Sequence, residues 1–189
     1  MDLNINNQPI EIDNGLFVLI IGPSGVGKGT IVNKLKERFK DAVFVKSMTT
    51  RAKRPGEKDG DQYYFVSKNE FEKGITEGKF LEWALVHQKD YYGILVDPVK
   101  QFLGENRLVI REVDVQGFAQ IIKRIPKKVL LTIFIQPESI EVLRNRIQHR
   151  GELPVEEMQR RMESVKHEME MASQCDYRVT NYEGRLLQC

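Results

Sequence analysis

The stretch GLFVLIIGPSGVGKGT, residues 15–30, carries the densest chemical signal in this 189-residue sequence. An apolar run ends at Ile21. Gly22, four intervening residues, Gly27 and Lys28 follow, and a helix-forming segment continues from Ile31. That order of strand, glycine turn, lysine and helix is the spacing of a phosphate-binding loop. The glycines let the backbone curl until successive N–H groups point at phosphate oxygens, with no Cβ in the way. The following helix adds the partial positive charge of its N-terminus, and Lys28 supplies a mobile point charge for β- and γ-phosphates. Gly22, Pro23, Ser24, Gly25, Val26, Gly27, Lys28, Gly29 and Thr30 are therefore the candidate triphosphate-binding set. Gly29 stands where the strict pattern has Ser or Thr, with Thr30 next. A Mg²⁺ ion is thus expected to be held largely by water and the nucleotide, which suits its reluctance to lose its hydration shell. The bland alternative is a glycine-rich strand-to-helix turn without a ligand. Strand, spacing and lysine together weigh against it.

A second concentration of charge lies between Ser47 and about Asp97. It is rich in Arg, Lys, Asp, Glu and Tyr, with turn signals at Pro55-Gly56 and Asp59-Gly60. Arg51 and Arg54 offer planar guanidinium forks that match phosphate oxygens. A carboxylate such as Glu82 accepts from two neighbouring N–H groups together, and a site built on such a pair strongly rejects a ligand that lacks one of them. Taken singly, the arginines read as a solvated basic loop and Glu82 as a surface carboxylate. Beside a phosphate loop those readings fall behind.

Taken in order, these segments resemble guanylate kinases from about residue 16 to 181. The resemblance is carried by Ser47-Met48-Thr49-Thr50-Arg51-Ala52-Lys53-Arg54-Pro55-Gly56-Glu57, then Asp61-Gln62-Tyr63-Tyr64-Phe65 and Phe80-Leu81-Glu82-Trp83-Ala84. It continues through Tyr91-Tyr92-Gly93 and Glu112-Val113-Asp114-Val115-Gln116-Gly117 to the arginines at 146, 150 and 161. The Gly-Lys-Gly-Thr ending of the loop is similar to that of nucleoside monophosphate kinases. The resemblance implies ATP-dependent phosphorylation of GMP, and of dGMP, in purine nucleotide metabolism. It implies that Arg51, Arg54 and Tyr63 hold the GMP phosphate with help from Tyr92, in a segment that includes Glu57. Ser47, Glu82 and Asp114 would face the guanine. Arg146 and Arg150 would close over the ATP phosphates from a helical lid, and Arg161 would reach toward the transferring group. With Lys28 these arginines form a charge clamp, since phosphoryl transfer needs positioning and charge neutralisation and no nucleophilic side chain. His87, His149 and His167 are accordingly expected at the surface.

Three features depart from the family pattern. Ile94 follows Gly93 where the family carries Ser or Thr able to reach guanine O6, so selectivity is expected to rest on Ser47 and Glu82. The loop Val86-His87-Gln88-Lys89-Asp90 is one residue longer than is common, which leaves Tyr91 and Tyr92 as rivals for the phosphate. The family usually continues with a helix after the segment of Val179-Thr180-Asn181, and here eight residues follow, so that helix is expected to be absent or a stub. Two other readings keep most of these residues: a monophosphate kinase of altered base preference, and a guanylate-kinase-like binding module without catalysis. The intact loop argues against the second.

The elements that must position these groups follow from apolar periodicity. Nearly continuous apolar runs predict strands buried on both faces at Leu16–Ile21, Ala42–Val45, Arg107–Val113 and Val129–Ile135, with a late one at Tyr177–Thr180. Helices are expected at Lys28–Phe39, Val115–Arg124, Ser139–His149 and Val155–Ala172. In the lid helix Ile140, Leu143 and Ile147 form the expected buried stripe. Arg146 and Arg150, four apart, project together. The stripe Met158, Met162, Val165, Met169 and Ala172 reads as core packing. Strands alternating with helices predict an α/β fold, a three-layer P-loop NTPase-type parallel sheet flanked by helices. The expected divisions are a polar extension (1–14), a core (15–46, 98–138, 162–189), a GMP-binding α+β insertion with its own small sheet (47–97), and the lid (139–161).

Composition narrows the partners. With 29 basic against 27 acidic residues and a net charge of +2, nothing points to nucleic acid or an anionic membrane. Lys123-Arg124-Ile125-Pro126-Lys127-Lys128 reads as a solvated helix end and turn. No apolar run approaches the roughly 20 residues of a membrane span, and the polar start does not resemble a secretory signal. Cys175 and Cys189 have no CxxC partners and read as free thiols in a reducing cytoplasm. A monomer or weak homo-oligomer is expected, with GMP and ATP as its small-molecule partners.

Overall fold

The computed structural model describes residues 8–86, 89–149 and 154–182. In chain order the elements are β1 (Leu16–Ile21), α1 (Lys28–Arg38), β2 (Val43–Phe44), β3 (Ser47–Thr49), β4 (Tyr63–Phe65), α2 (Lys68–Thr76), β5 (Phe80–Val86) and β6 (Asp90–Leu95). They continue with α3 (Val96–Gly104), β7 (Leu108–Glu112), α4 (Val115–Arg124), β8 (Leu130–Pro137), α5 (Ile140–Gln148), α6 (Val155–Glu170) and β9 (Tyr177–Asn181). Strands form two sheets, ordered β2-β7-β1-β8-β9 and β4-β3-β6-β5. The first has parallel β2–β7 and β8–β9 pairs. The fold is α/β, a parallel sheet flanked by helices.

Contacts divide the chain into two compact units. One holds the described residues up to Phe17, with Asp41–Ile110 and Gln116–Leu130. Its four-stranded sheet has two differently used faces. Directly paired residues share a face, so the register sets Tyr63, Ser47, Ile94 and Glu82 in one row, and Phe65, Thr49, Tyr92 and Ala84 in the next. The opposite face carries Met48, Trp83 and Tyr91, and α2 covers it with Phe71 and Ile75. Ser67 starts α2 by accepting from the Glu70 N–H at 3.2 Å, the usual cap chemistry. Phe71 stacks on Phe80 at 4.3 Å and on Tyr91 at 5.1 Å between ring centres. A Cβ on Gly93 would lie 2.7 Å from Phe80 Cδ1 and 3.0 Å from Phe71 Cζ, so the ring stack itself requires glycine there.

The other unit holds Val18–Lys40, Arg111–Val115 and the described residues from Leu131 onward. β1 is almost wholly buried after Leu16, as its unbroken apolar run demands. Along α6 and the turn after it, Met158, Val165 and Ala172 are buried while Met162 and Met169 are partly so, so this stripe is core. In α5, Ser139 caps the helix by accepting from Val142 N–H at 3.1 Å, and Leu143 and Ile147 are buried. Ile140 is not: it is 43% exposed, contrary to the expected stripe. Its neighbours Glu138, Ser139 and Glu141 are exposed too, so this helix enters the core only one turn after it begins. His149 and His167 are exposed, as expected, and His87 and Cys189 lie outside the described residues.

Candidate active site

The phosphate loop joins β1 to α1. Gly22, Gly25 and Gly27 have φ of 151°, 86° and 100°, conformations in which a side chain is strained. Gly22 has a second reason to be glycine: a Cβ there would collide with the Ile135 carbonyl oxygen of β8. Gly27 is the N-cap of α1 and offers no side-chain cap, and the first turn of that helix contains no acidic residue. Its leading N–H groups and dipole are thus left for an anion. Lys28 folds back over the loop and donates from Nζ to the carbonyls of Gly22 at 2.6 Å and Pro23 at 3.2 Å. Asn181, ending β9, donates from Nδ2 to the Val26 carbonyl at 2.7 Å and fixes the loop's far side.

Two carboxylates lie against this loop that the sequence did not single out for it. Glu168 on α6 accepts from the Ser24 N–H at 3.2 Å. Burial raises its pKa above the usual carboxylate range, the Ser24 bond and the Lys28 charge oppose that, and the Asp114 charge adds to it. Glu112, ending β7, brings its oxygens to 3.7 and 3.8 Å from where a Cβ on Gly29 would stand. Asp114 itself is exposed. Arg146 is partly buried, with long contacts from Nη1 to the Val26 carbonyl (3.5 Å) and from Nη2 to the Asn181 carbonyl (3.4 Å). Arg161 is engaged with Glu157 at 3.0 Å, and Glu157 also pairs Arg160 at 3.0 Å. Arg150 lies outside the described residues.

In the unit with the four-stranded sheet, Arg51 is the hub of a second anion-ready corner. Its Nε donates to Tyr92 Oη at 3.1 Å, its Nη1 to the Ala52 carbonyl at 2.8 Å, and its fork engages both oxygens of Glu57 at 2.8 and 2.9 Å. Glu57 also accepts from the Arg54 N–H at 2.8 Å. The bond to Arg51, then that from Arg54, hold the Glu57 carboxyl down to about 2. The Glu57 bond in turn raises the already high Arg51 pKa, with Tyr92 adding to it. The guanidinium carbon stands 5.4 Å from the centre of the Tyr63 ring, and Tyr63 meets Tyr92 edge-on at 5.9 Å. The Arg54 side chain is exposed beside this corner. Tyr91 points to the aromatic core instead, its Oη donating to Glu72 at 3.3 Å. The pair of tyrosines is thereby separated into one core residue and one site residue.

Ser47 and Glu82, expected to face a base, share a row of the sheet with Ile94 between them. Ser47 and Glu82 are buried, and Ile94 is 1% exposed. The row sets an apolar side chain between the hydroxyl and the carboxylate.

The sequence reading also missed Gln120 and Arg124. The basic run from Lys123 to Lys128 predicts a solvated Arg124, yet it is 4% exposed. It donates from Nη1 to the carbonyls of Phe80 at 2.6 Å and Leu81 at 2.8 Å. A signal existed: Arg124 falls three residues after Ile121 and seven after Gly117, on the buried stripe of α4.

Comparisons with known proteins give the family of the chain. The family model described as guanylate kinase matches residues 15–183. The chain is 44% identical over 167 residues to a guanylate kinase of Caldanaerobacter subterraneus subsp. tengcongensis, covering 88% of this chain and 80% of that one. It is 39% identical over 182 residues to a guanylate kinase of Nostoc sp., covering 95% and 90%. Among solved structures, guanylate kinase from Anaplasma phagocytophilum superposes with a TM-score of 0.72 at 26% identity, over 94% of this chain and 81% of that one. Likeness of this extent, in sequence and in fold together, makes the chain a member of the guanylate kinase family.

Proposed function

We propose that this protein transfers the γ-phosphoryl group of ATP to the phosphate of GMP, and of dGMP, as a cytoplasmic enzyme of purine nucleotide metabolism. The observation that carries this reading is the phosphate loop of a guanylate kinase family member: three positive-φ glycines, an acid-free helix start and Lys28 folded across its mouth. On this reading Lys28 exchanges its two carbonyl partners for β- and γ-phosphate oxygens. Arg146, Arg150 and Arg161 neutralise charge that spreads over the transferring group, and Arg161 leaves Glu157 to do so. Arg51, Arg54, Tyr63 and Tyr92 hold the monophosphate, with Glu57 keeping the Arg51 fork in plane. Ser47 and Glu82 read the base, and Asp114 assists. Catalysis then consists of alignment and electrostatic stabilisation. dGMP follows because these contacts address base and phosphate.

A Mg²⁺ ion bound with the nucleotide would supply neutralisation of phosphate charge. The residues present fit an ion bound through its waters. Glu112 puts a carboxylate beside Gly29, Thr30 follows it in the chain as an exposed residue, and a hard cation that keeps its waters needs little more from the protein. Among the described residues no helix is long and apolar enough to cross a membrane. A monomer or weak homo-oligomer suffices, since every proposed contact comes from one chain.

A second reading, relaxed base preference, is favoured by Ile94 alone. A coupled assay of ADP formation with ATP and GMP, dGMP, AMP, UMP or CMP separates the two. The first predicts turnover with GMP and dGMP at least about a hundredfold above the rest, as a hydrogen-bonded base site should give. Comparable rates with AMP would favour the second, and no turnover with any monophosphate would refute both.

A further inference from the structure

β5 is an edge strand of its sheet, and its outer rim is gripped by side chains of α4 where another strand would pair. Trp83 N–H donates to Gln120 Oε1 at 2.9 Å, and Gln120 Nε2 donates to the Trp83 carbonyl at 2.8 Å. A primary amide here reproduces the donor–acceptor pair of a neighbouring peptide. On the other side of Glu82, Arg124 holds the carbonyls of Phe80 and Leu81. The backbone on both flanks of Glu82 is therefore fixed by one helix.

The same stretch contains a register shift. Phe80 pairs with Leu95, whereas Glu82 pairs with Ile94. In a regular strand residues two apart share a face, and Glu82 would follow Phe80 into the aromatic core. The bulge sends Phe80 to the α2 side and Glu82 to the row of Ser47, the re-aiming that bulges perform. Arg124 binds the two carbonyls at that bulge. Its burial lowers its pKa, and its Nε is buried with no hydrogen-bond partner among the described residues. A buried cation that spends its bonds on two backbone carbonyls is expensive as plain scaffolding.

The third contact is a space. A Cβ on Gly117 would lie 2.6 Å from Glu82 Oε2 and 3.0 Å from its Cδ, so the carboxylate rests against the first turn of α4 and any larger residue would push it aside. Gly117, Gln120 and Arg124 are three and four apart, on one helical face.

We propose that this face of α4 is a positioning device for base selection: Gln120 and Arg124 lock the bulge that aims Glu82, and Gly117 makes room for its carboxylate, which sets its angle toward the N1–H and N2–H₂ of guanine. The proposal rests on the reading of Glu82 as the base acceptor. Displacing that carboxylate by about 1 Å loses the paired geometry, and the loss falls mainly on the ligand that has a 2-amino group.

The test is the ratio of kcat/KM for GMP to that for IMP, the analogue without the 2-amino group, measured with ATP in the parent, Gly117→Ala, Gln120→Met and Glu82→Gln. The expected result is a ratio reduced at least tenfold in Gly117→Ala and severalfold in Gln120→Met, moving toward that of Glu82→Gln, with the KM for ATP within twofold of the parent. Gln120→Met adds no bulk, so it delivers the readout even if Gly117→Ala folds poorly. If Glu82→Gln collapses the ratio while both α4 variants keep the parent's ratio, or lose GMP and IMP activity equally, the positioning role is refuted and the base reading stands. If Glu82→Gln leaves the ratio unchanged, the base reading fails and the proposal falls with it.

Discussion

Glu57 closes on Arg51 with both carboxylate oxygens, at 2.8 and 2.9 Å, and accepts from the Arg54 N–H as well. This ties the two arginines of the monophosphate corner to one acid. The Glu57 carboxyl is held down to about 2 from an ordinary value of 4.5. Between those values the unfolded chain binds the extra proton, so the pair's contribution to stability is complete above about pH 4.5 and is lost as pH falls through about 2. Glu57→Gln should therefore melt lower than the parent at pH 7, with the difference shrinking through that acid window. Melting curves from pH 7 to 2 check this, and a constant difference at all pH values contradicts it.

Tyr92 and Tyr91 are adjacent and should behave oppositely. Tyr92 Oη accepts from Arg51 Nε, while Tyr91 Oη donates to Glu72 of α2 at the margin of the aromatic core. Tyr92→Phe is expected to raise the KM for GMP by about tenfold, the worth of one charge-assisted hydrogen bond, with little change in melting temperature. Tyr91→Phe should leave the KM for GMP within twofold. Steady-state kinetics of the two variants decides, and equal effects would dissolve the distinction.

Lys28 spends its ammonium on the Gly22 and Pro23 carbonyls. Lys28→Met should retain the fold and lower kcat roughly 10²–10³-fold, the scale for removing one preorganised electrostatic group. Far-ultraviolet circular dichroism beside initial rates separates a folded, inactive variant from an unfolded one.

Glu168 brings a negative charge to the Ser24 N–H, and burial raises its pKa. For an acid with a raised folded pKa, the native state binds more protons than the unfolded one from the ordinary value of 4.5 upward. Stability is then lost as pH rises through that window, and the cost is complete above it. Glu168→Gln should remove the cost and melt above the parent at pH 7, with the gain vanishing as pH falls below the ordinary carboxyl value. A lower melting temperature at pH 7 would show that the Ser24 bond outweighs desolvation.

The phosphate loop was legible in the sequence because its function is local: glycine spacing, lysine and flanking elements are contiguous from Gly22 to Thr30. The core strands and α6 were legible for a similar reason, since unbroken apolar runs and a 3.6-residue stripe are contiguous patterns. What stayed hidden depends on register and approach. That Glu82 leaves the face of Phe80 follows from a bulge that only strand pairing reveals. Arg124 was hidden by its own charge in a basic run, and Glu168 by lying 144 residues from the Ser24 N–H it accepts. Ile140 was misread because a helical stripe says nothing about where a helix enters the core.

The account's central claim is phosphoryl transfer to GMP through the loop that holds Lys28. Chromatographic measurement of GDP formed from GMP, ATP and Mg²⁺ by the parent and by Lys28→Met tests it most directly. The account predicts one GDP for each ADP with the parent, and a rate lower by at least about a hundredfold with the variant. ADP released without GDP, or GDP formed equally fast by the variant, would contradict it.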